Sequence, residues 1–225
     1  METSRGAGGT RKFATRRDYL GSRAAAMESS LNISKARLRA EMREVLASLP
    51  ADQRHTGSGA ACELLRSQPL WRDSRTLLLY APTPDEVDIW PLFETALAAG
   101  KQILLPRYST ERGEYEVREI ATKDEICVGR FGIREPSPKC RPLASNLLDL
   151  IMVPGIAFDL QGHRLGRGKG FYDRLLATLQ GAKCGVAFDR QIVPELPIAP
   201  HDVVLHRILT PTRWHVVQPP ARVLE

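Results

Sequence analysis

The sequence predicts an α/β domain with a mostly parallel β-sheet, preceded by a disordered basic tail. Three observations carry that prediction. From residue 75 onward, short apolar runs such as Leu77-Leu78-Leu79 and Ile151-Met152-Val153 alternate with helical periods, the pattern of strand–helix–strand units. These runs are far too short to cross a membrane and end in turn residues, so they fit buried strands. The chain has 225 residues, 43% hydrophobic and 26% charged, which suits a soluble globular protein with one well-covered core.

The elements follow in order. Residues 1–32 are rich in Arg, Gly, Ser and Ala and carry few large apolar side chains. Such a segment buries too little to offset its ordering entropy, so it is expected to be a disordered tail. Met27 is an alternative start. A transit peptide fits the Arg and Ser content less well, because no apolar face is present. Residues 33–225 are expected to form a single folded domain. Leu38, Met42, Val45, Leu46 and Leu49 lie on one helical face, with Ser34 as N-cap and Pro50 as terminator. A second helix is expected over 51–67, weakened at Gly57-Ser58-Gly59. Strands are expected over 75–81, 102–106, 114–120, 149–153, 185–188 and 203–209. A helix over 90–99 has Pro91 in its first turn and Gly100 at its end. A helix over 171–180 is ended by Gly181.

The charge distribution argues against two classes of partner. The net charge is +6, but Arg5, Arg11, Lys12, Arg16, Arg17 and Arg23 against Glu2 and Asp18 place +4 of it before residue 27. The body is nearly balanced and reads as binding neither nucleic acid nor membrane. Cys62, Cys127, Cys140 and Cys184 form no CxxC pair and lie near no His at zinc spacing. They read as reduced, buried small hydrophobes in a cytoplasmic protein with no signal-peptide core.

The chemistry concentrates between residues 149 and 176, which run strand, loop, glycine-basic loop, helix. In Gly166-Arg167-Gly168-Lys169-Gly170 the glycines allow positive φ and close approach, so that successive N–H groups face one concavity. The following helix adds its unpaired N–H groups and dipole, and Arg167 and Lys169 add charge. This suits a polyphosphate, although a tight turn alone also explains such loops. It is not a Walker A loop, since Gly170 follows Lys169, and it is not GxGxxG. Asp173 either stabilises the helix N-terminus or holds Mg²⁺ beside phosphates, and Asp202 is a turn former or a second metal ligand. Glu86 is a solvated turn residue or a ligand contact in a loop after a strand. Lys35, Arg39 and Arg43, spaced four apart, read by themselves as a solvated basic stripe.

Taken together, several segments resemble the 5-formyltetrahydrofolate cyclo-ligase (5,10-methenyltetrahydrofolate synthetase) family. The signature Arg164-Leu165-Gly166-Arg167-Gly168-Lys169-Gly170-Phe171-Tyr172-Asp173 is the specific match. KARLR at 35–39, DEVD at 85–88, LPRY at 105–108, FGIREP at 131–136, MVPGIAFD at 152–159 and HDV at 201–203 follow in the family's order. The resemblance implies a three-layer α/β/α sandwich and an ATP-dependent closure of 5-formyltetrahydrofolate to 5,10-methenyltetrahydrofolate, with ADP and phosphate released. It implies ATP contacts from Lys35, Arg39 and the stretch Arg164 to Tyr172. It also implies folate contacts from Glu86, Tyr108 and the stretch Arg167 to Phe171, with Tyr108 stacking on the pterin. Asp173 and Asp202 would assist Mg²⁺, and a monomer is expected. Ile89 and Phe171 depart from the Thr and Tyr common in relatives. The alternatives are a sugar-phosphate- or CoA-handling enzyme on a similar scaffold, or a non-catalytic folate- or nucleotide-binding paralogue.

Overall fold

The computed structural model describes residues 16–130, 132–143 and 148–218, with side chains from residue 27 onward. Its centre is a seven-stranded sheet ordered β11-β10-β9-β6-β1-β2-β3. The strands are β1 (Thr76–Leu78), β2 (Gln102–Ser109), β3 (Glu114–Ile120), β6 (Leu150–Pro154), β9 (Ala182–Val186), β10 (Arg207–Leu209) and β11 (Trp214–Val216). The inner five pair in parallel, and β3 and β11 close the edges antiparallel. Two small ribbons, β4 (Ile126–Val128) with β5 (Arg134–Pro136) and β7 (Ala157–Phe158) with β8 (Arg164–Leu165), form separate sheets, and β5 packs against β2.

Alternation along the strands makes three layers. Leu77, Leu79, Ile103, Leu105, Leu150 and Met152 join a cluster with Ala61, Cys62 and Leu65 of α2 (Ala51–Arg66) and Leu92, Phe93 and Ala96 of α4 (Trp90–Ala98). Leu78, Leu104, Ile151 and Val153 point the other way, onto Leu175 and Leu176 of α5 (Phe171–Thr178). Successive side chains point to opposite faces, so these continuous apolar runs feed both layers. A short α3 (Pro69–Asp73) leads into β1.

Several boundaries differ from expectation. Helix α1 runs Arg16–Ala47, so Ser34 is interior, and its Oγ donates to the Ser30 carbonyl at 3.0 Å instead of capping. Residues 16–32, expected to be disordered, are helical in backbone, while residues 1–15 lie outside the described residues. Side chains 27–34 are mostly exposed, and burial begins at Lys35. The expected weak point in α2 is a packing point: Asp88 N–H donates to buried Ser58 Oγ at 2.9 Å, and a Cβ on Gly57 would lie 3.3 Å from Pro211. Strand β9 starts at Ala182, three residues early. Gly181 turns at φ +118° where a Cβ would meet the Leu148 carbonyl at 2.2 Å, so the strand begins at once. Cys62, Cys140 and Cys184 are buried and burial raises all three thiols, but Cys127 is exposed, against expectation. Among the described residues no helix is long and apolar enough to cross a membrane.

The chain leaves β1 toward β2 on one side and leaves β6 toward β9 on the other, and β1 and β6 are neighbours. The crevice at their carboxyl ends is therefore a topological switch point, where α/β sheets hold ligands.

Candidate active site

A cavity of about 350 Å³ opens at that point. The segment after β1 supplies Tyr80, Ala81, Thr83 and Glu86, and the end of β6 supplies Pro154 and Gly155. The glycine-basic loop and the start of α5 form one wall, from Gly166 to Asp173. Pro106, Tyr115, Ile133, Arg134, Glu135 and Arg164 complete the lining.

The loop takes the shape its glycines allow. Gly168 has φ +99°, and Gly170, the N-cap of α5, has φ +64°. Side chains would strain both positions. A Cβ on Gly166 would lie 2.8 Å from Arg164 Nη1, so the missing side chain makes room for a guanidinium. Arg39 on α1 donates from Nε to the Gly166 carbonyl at 2.9 Å, which ties the first helix to the loop. Burial, with help from Arg43, lowers the Arg39 pKa. Gly168 and Lys169 are exposed, and both line the cavity.

Arg164 and Asp173 brace the loop from below. The Arg164 side chain is only 3% exposed. Its Nη2 pairs with Asp173 Oδ1 and its Nη1 donates to the Pro154 carbonyl at 3.2 Å. Pairing Asp173 with a buried cation leaves the loop's positive field to Arg39, Arg167 and Lys169. At the mouth, Arg167 Nη2 donates to Thr83 Oγ1 at 2.8 Å and to Glu86 Oε1 at 3.0 Å. Glu86 Oε2 in turn accepts the Thr83 N–H at 2.9 Å. Lys35, 9% exposed, pairs with Asp202 Oδ2 at 2.5 Å. Burial pushes the Asp202 pKa up, but the Lys35 ammonium and the Ala199 N–H outweigh it and hold it below the usual value.

An aromatic cluster forms the other wall. Tyr115 on β3 faces Tyr108 on β2 across the ladder, with ring centroids 5.6 Å apart. Phe171 lies 5.2 Å from Tyr108 and 6.1 Å from Tyr115, and Arg174 covers its ring at 4.9 Å. The Tyr172 hydroxyl is buried without a partner among the described residues, and burial raises its pKa strongly.

Comparison with known proteins decides which family this site belongs to. Residues 32–211 match the model of the 5-formyltetrahydrofolate cyclo-ligase family. The chain belongs to that family. It is similar to the Escherichia coli K12 protein named 5-formyltetrahydrofolate cyclo-ligase, with 33% identity over 73% of this chain and 92% of the relative. A mouse protein of the same name is 28% identical over 80% and 95% of the two chains. The NMR structure of Aquifex aeolicus 5,10-methenyltetrahydrofolate synthetase superposes with a TM-score of 0.75 and 34% identity, covering 85% of this chain and 96% of that one. The α/β fold is thus shared with methenyltetrahydrofolate synthetase structures.

Within this cyclo-ligase family member, most residues expected at the site meet around one cavity. Glu86, Arg164, Gly166 to Tyr172 and Asp173 line it. Lys35, Arg39 and Asp202 stand behind the loop, where Arg39 experiences the charges of both Asp173 and Asp202. Leu165 offers no side chain to the cavity, being packed with Met42, Ile156, Ala157 and Leu196. Tyr108 is 9% exposed and does not line the cavity; it packs on Tyr115 and Phe171, which do. Ile89 is a core residue at the start of α4, so the missing Thr hydroxyl concerns packing. Tyr115, Arg134 and Glu135 carry no site signal of their own in the sequence. Glu135 lies inside the FGIREP block, and Tyr115 becomes legible only once the register Tyr108↔Tyr115 is known. Phe131 of that block lies outside the described residues.

Proposed function

We propose that this cyclo-ligase family member converts 5-formyltetrahydrofolate and ATP to 5,10-methenyltetrahydrofolate, ADP and phosphate. The observation that carries the reading is the cavity itself. One wall is a glycine-basic loop fit for phosphates and the other is an aromatic wall fit for a flat ring, so the two substrates are held against each other.

A formamide oxygen is a poor leaving group. In the proposed reaction it attacks the γ-phosphorus and ADP departs. The substrate's N10 then attacks the activated formyl carbon, phosphate leaves with the former formyl oxygen, and N10 loses its proton. Such transfer needs alignment and charge neutralisation more than a protein nucleophile. Arg167 and Lys169, with the N–H groups of Gly168 to Phe171, meet the charge that builds on the transferring phosphoryl group. Lys35 and Arg39 hold the nucleotide from α1. Glu86 and the ring cluster of Tyr108, Tyr115 and Phe171 hold the folate.

Enzymes of this family use ATP as co-substrate. The donor set also fits Mg²⁺. Asp173 Oδ1 and Asp202 Oδ2 are taken by Arg164 and Lys35, which leaves Asp173 Oδ2 for a cation, while Asp202 Oδ1 faces the exposed His201 ring at 3.9 Å and would turn from it to a cation. No cluster of three or more ligating side chains exists among the described residues, and Mg²⁺ beside phosphates needs only one or two carboxylates. When bound, the ion would neutralise phosphate charge. The partner is a small reduced folate, and the protein acts as a cytoplasmic monomer. Purified protein with 5-formyltetrahydrofolate and Mg-ATP should produce the methenyl absorbance with one ADP per turnover. Binding of both ligands with no product would reject catalysis.

A further inference from the structure

Glu135 is an incomplete hydrogen-bonding group in the middle of a ligand cavity. It stands on β5 and is 2% exposed, yet it lines the cavity. Its Oε2 receives one long hydrogen bond, from Tyr108 N–H at 3.4 Å, and its Oε1 has no partner among the described residues. Arg107 acts on the carboxylate through its charge, but neither it nor Arg134 hydrogen-bonds Glu135 among the described residues. Arg107 Nη1 donates to the Pro136 carbonyl at 2.5 Å, and the Arg134 guanidinium lies 4.8 Å from the Trp90 ring centroid. The backbone is shaped around the carboxylate. A Cβ on Gly129 would fall 2.2 Å from Glu135 Cδ, so any other residue there would displace it. Leaving a carboxylate oxygen buried and unpaired is costly, and such groups persist where a ligand completes them.

The surroundings specify the ligand's shape. Tyr115, Phe171, Ile133 and Tyr80 line the same cavity and suit a flat ring. A carboxylate at the edge of that ring calls for two adjacent N–H donors, as in a guanidinium–carboxylate pair. The 2-amino group and N3–H of a tetrahydropterin are such a pair. We propose that Glu135 is the positioning residue for the pterin, accepting hydrogen bonds from its N3–H and 2-amino group. This rests on the folate reading above and deepens it. Fixing that edge sets the rotation of the ring in its plane, and with it the direction in which the 5-formyl oxygen faces the phosphate loop.

The test compares 5-formyltetrahydrofolate with its 2-desamino-2-methyl analogue, which lacks the amino donor. Equilibrium binding is measured for both on wild type, on Glu135→Met, which keeps bulk without acceptors, and on Glu135→Gln, which keeps one acceptor. ADP binding reports the integrity of the phosphate loop. Wild type should prefer the amino compound by roughly 10- to 100-fold, the range of a hydrogen bond to a charged group. Glu135→Met should reduce that preference to about twofold or less, Glu135→Gln should fall between, and ADP affinity should hold. An unchanged preference in Glu135→Met overturns the assignment while leaving the folate reading intact. A lost kcat with unchanged folate affinity and preference also overturns it, by showing that Glu135 handles a proton instead. Failure of wild type to bind 5-formyltetrahydrofolate at all overturns the folate reading itself.

Discussion

Replacing Asp173 with Ala separates two roles for one carboxylate. In the structure Asp173 is the counter-ion of Arg164, whose side chain is 3% exposed, while Asp173 itself is 26% exposed. Removing one partner of a fully buried pair costs about 3–5 kcal/mol, because the other charge is left uncompensated. Partial exposure of Asp173 reduces this to about 2–3 kcal/mol. For a chain of this size each kcal/mol moves Tm by about 2–4 °C, so ligand-free Asp173→Ala should melt about 4–12 °C lower. The assay is thermal unfolding by circular dichroism without nucleotide or Mg²⁺. Arg164→Met should recover much of the loss when combined with Asp173→Ala, since no orphan guanidinium remains. A ligand-free Tm within 1 °C of wild type would refute the brace and leave Asp173 with a metal role alone.

Other consequences are as direct. Lys169→Ala should lower methenyl formation by two or more orders of magnitude at unchanged ligand-free Tm, because Lys169 is exposed on the loop; near-normal turnover would remove it from the reaction. Tyr115→Ala should weaken folate binding more than Tyr108→Ala does, since Tyr115 lines the cavity and Tyr108 does not, and the reverse order in binding titrations would put the stacking ring on Tyr108. Burial raises the Glu135 pKa, against smaller lowering effects of the Tyr108 N–H and Arg107. A carboxyl raised on folding contributes stability below its unfolded pKa that is lost as pH rises through the folded one. Glu135→Gln should therefore raise the ligand-free Tm at pH 7.5, and the gain should vanish near pH 4. Equal gains at both pH values would show that the carboxylate is not destabilised by its surroundings.

Much of this site could be read from the chain because its local chemistry is local in sequence. The glycines at 166, 168 and 170 lie beside their cations and just before the helix they cap. The unbroken apolar run Leu77-Leu78-Leu79 signals a strand buried on both faces. What escaped depends on distant pairing. Lys35 meets Asp202 across 167 residues, and no local rule predicts that contact. The ribbon of β4 and β5 is short, has weak alternation and contains two prolines just beyond or within its second strand, so neither the ribbon nor Glu135 stood out. The backward reach of α1 was hidden because residues 16–34 lack an apolar stripe, which is the signal that periodicity reads. Asp173 looked like a cap or a metal ligand, because its partner Arg164 is brought near only by the turn through Gly166 to Gly170.

Transfer of the γ-phosphoryl group to the formyl oxygen is the step on which the proposed chemistry depends. It is tested by turning over 5-formyltetrahydrofolate labelled with ¹⁸O in the formyl group and following the label by ³¹P NMR of the inorganic phosphate. One labelled oxygen per phosphate, with ADP unlabelled, is the expected result. Unlabelled phosphate alongside full conversion to the methenyl product would contradict activation at that oxygen.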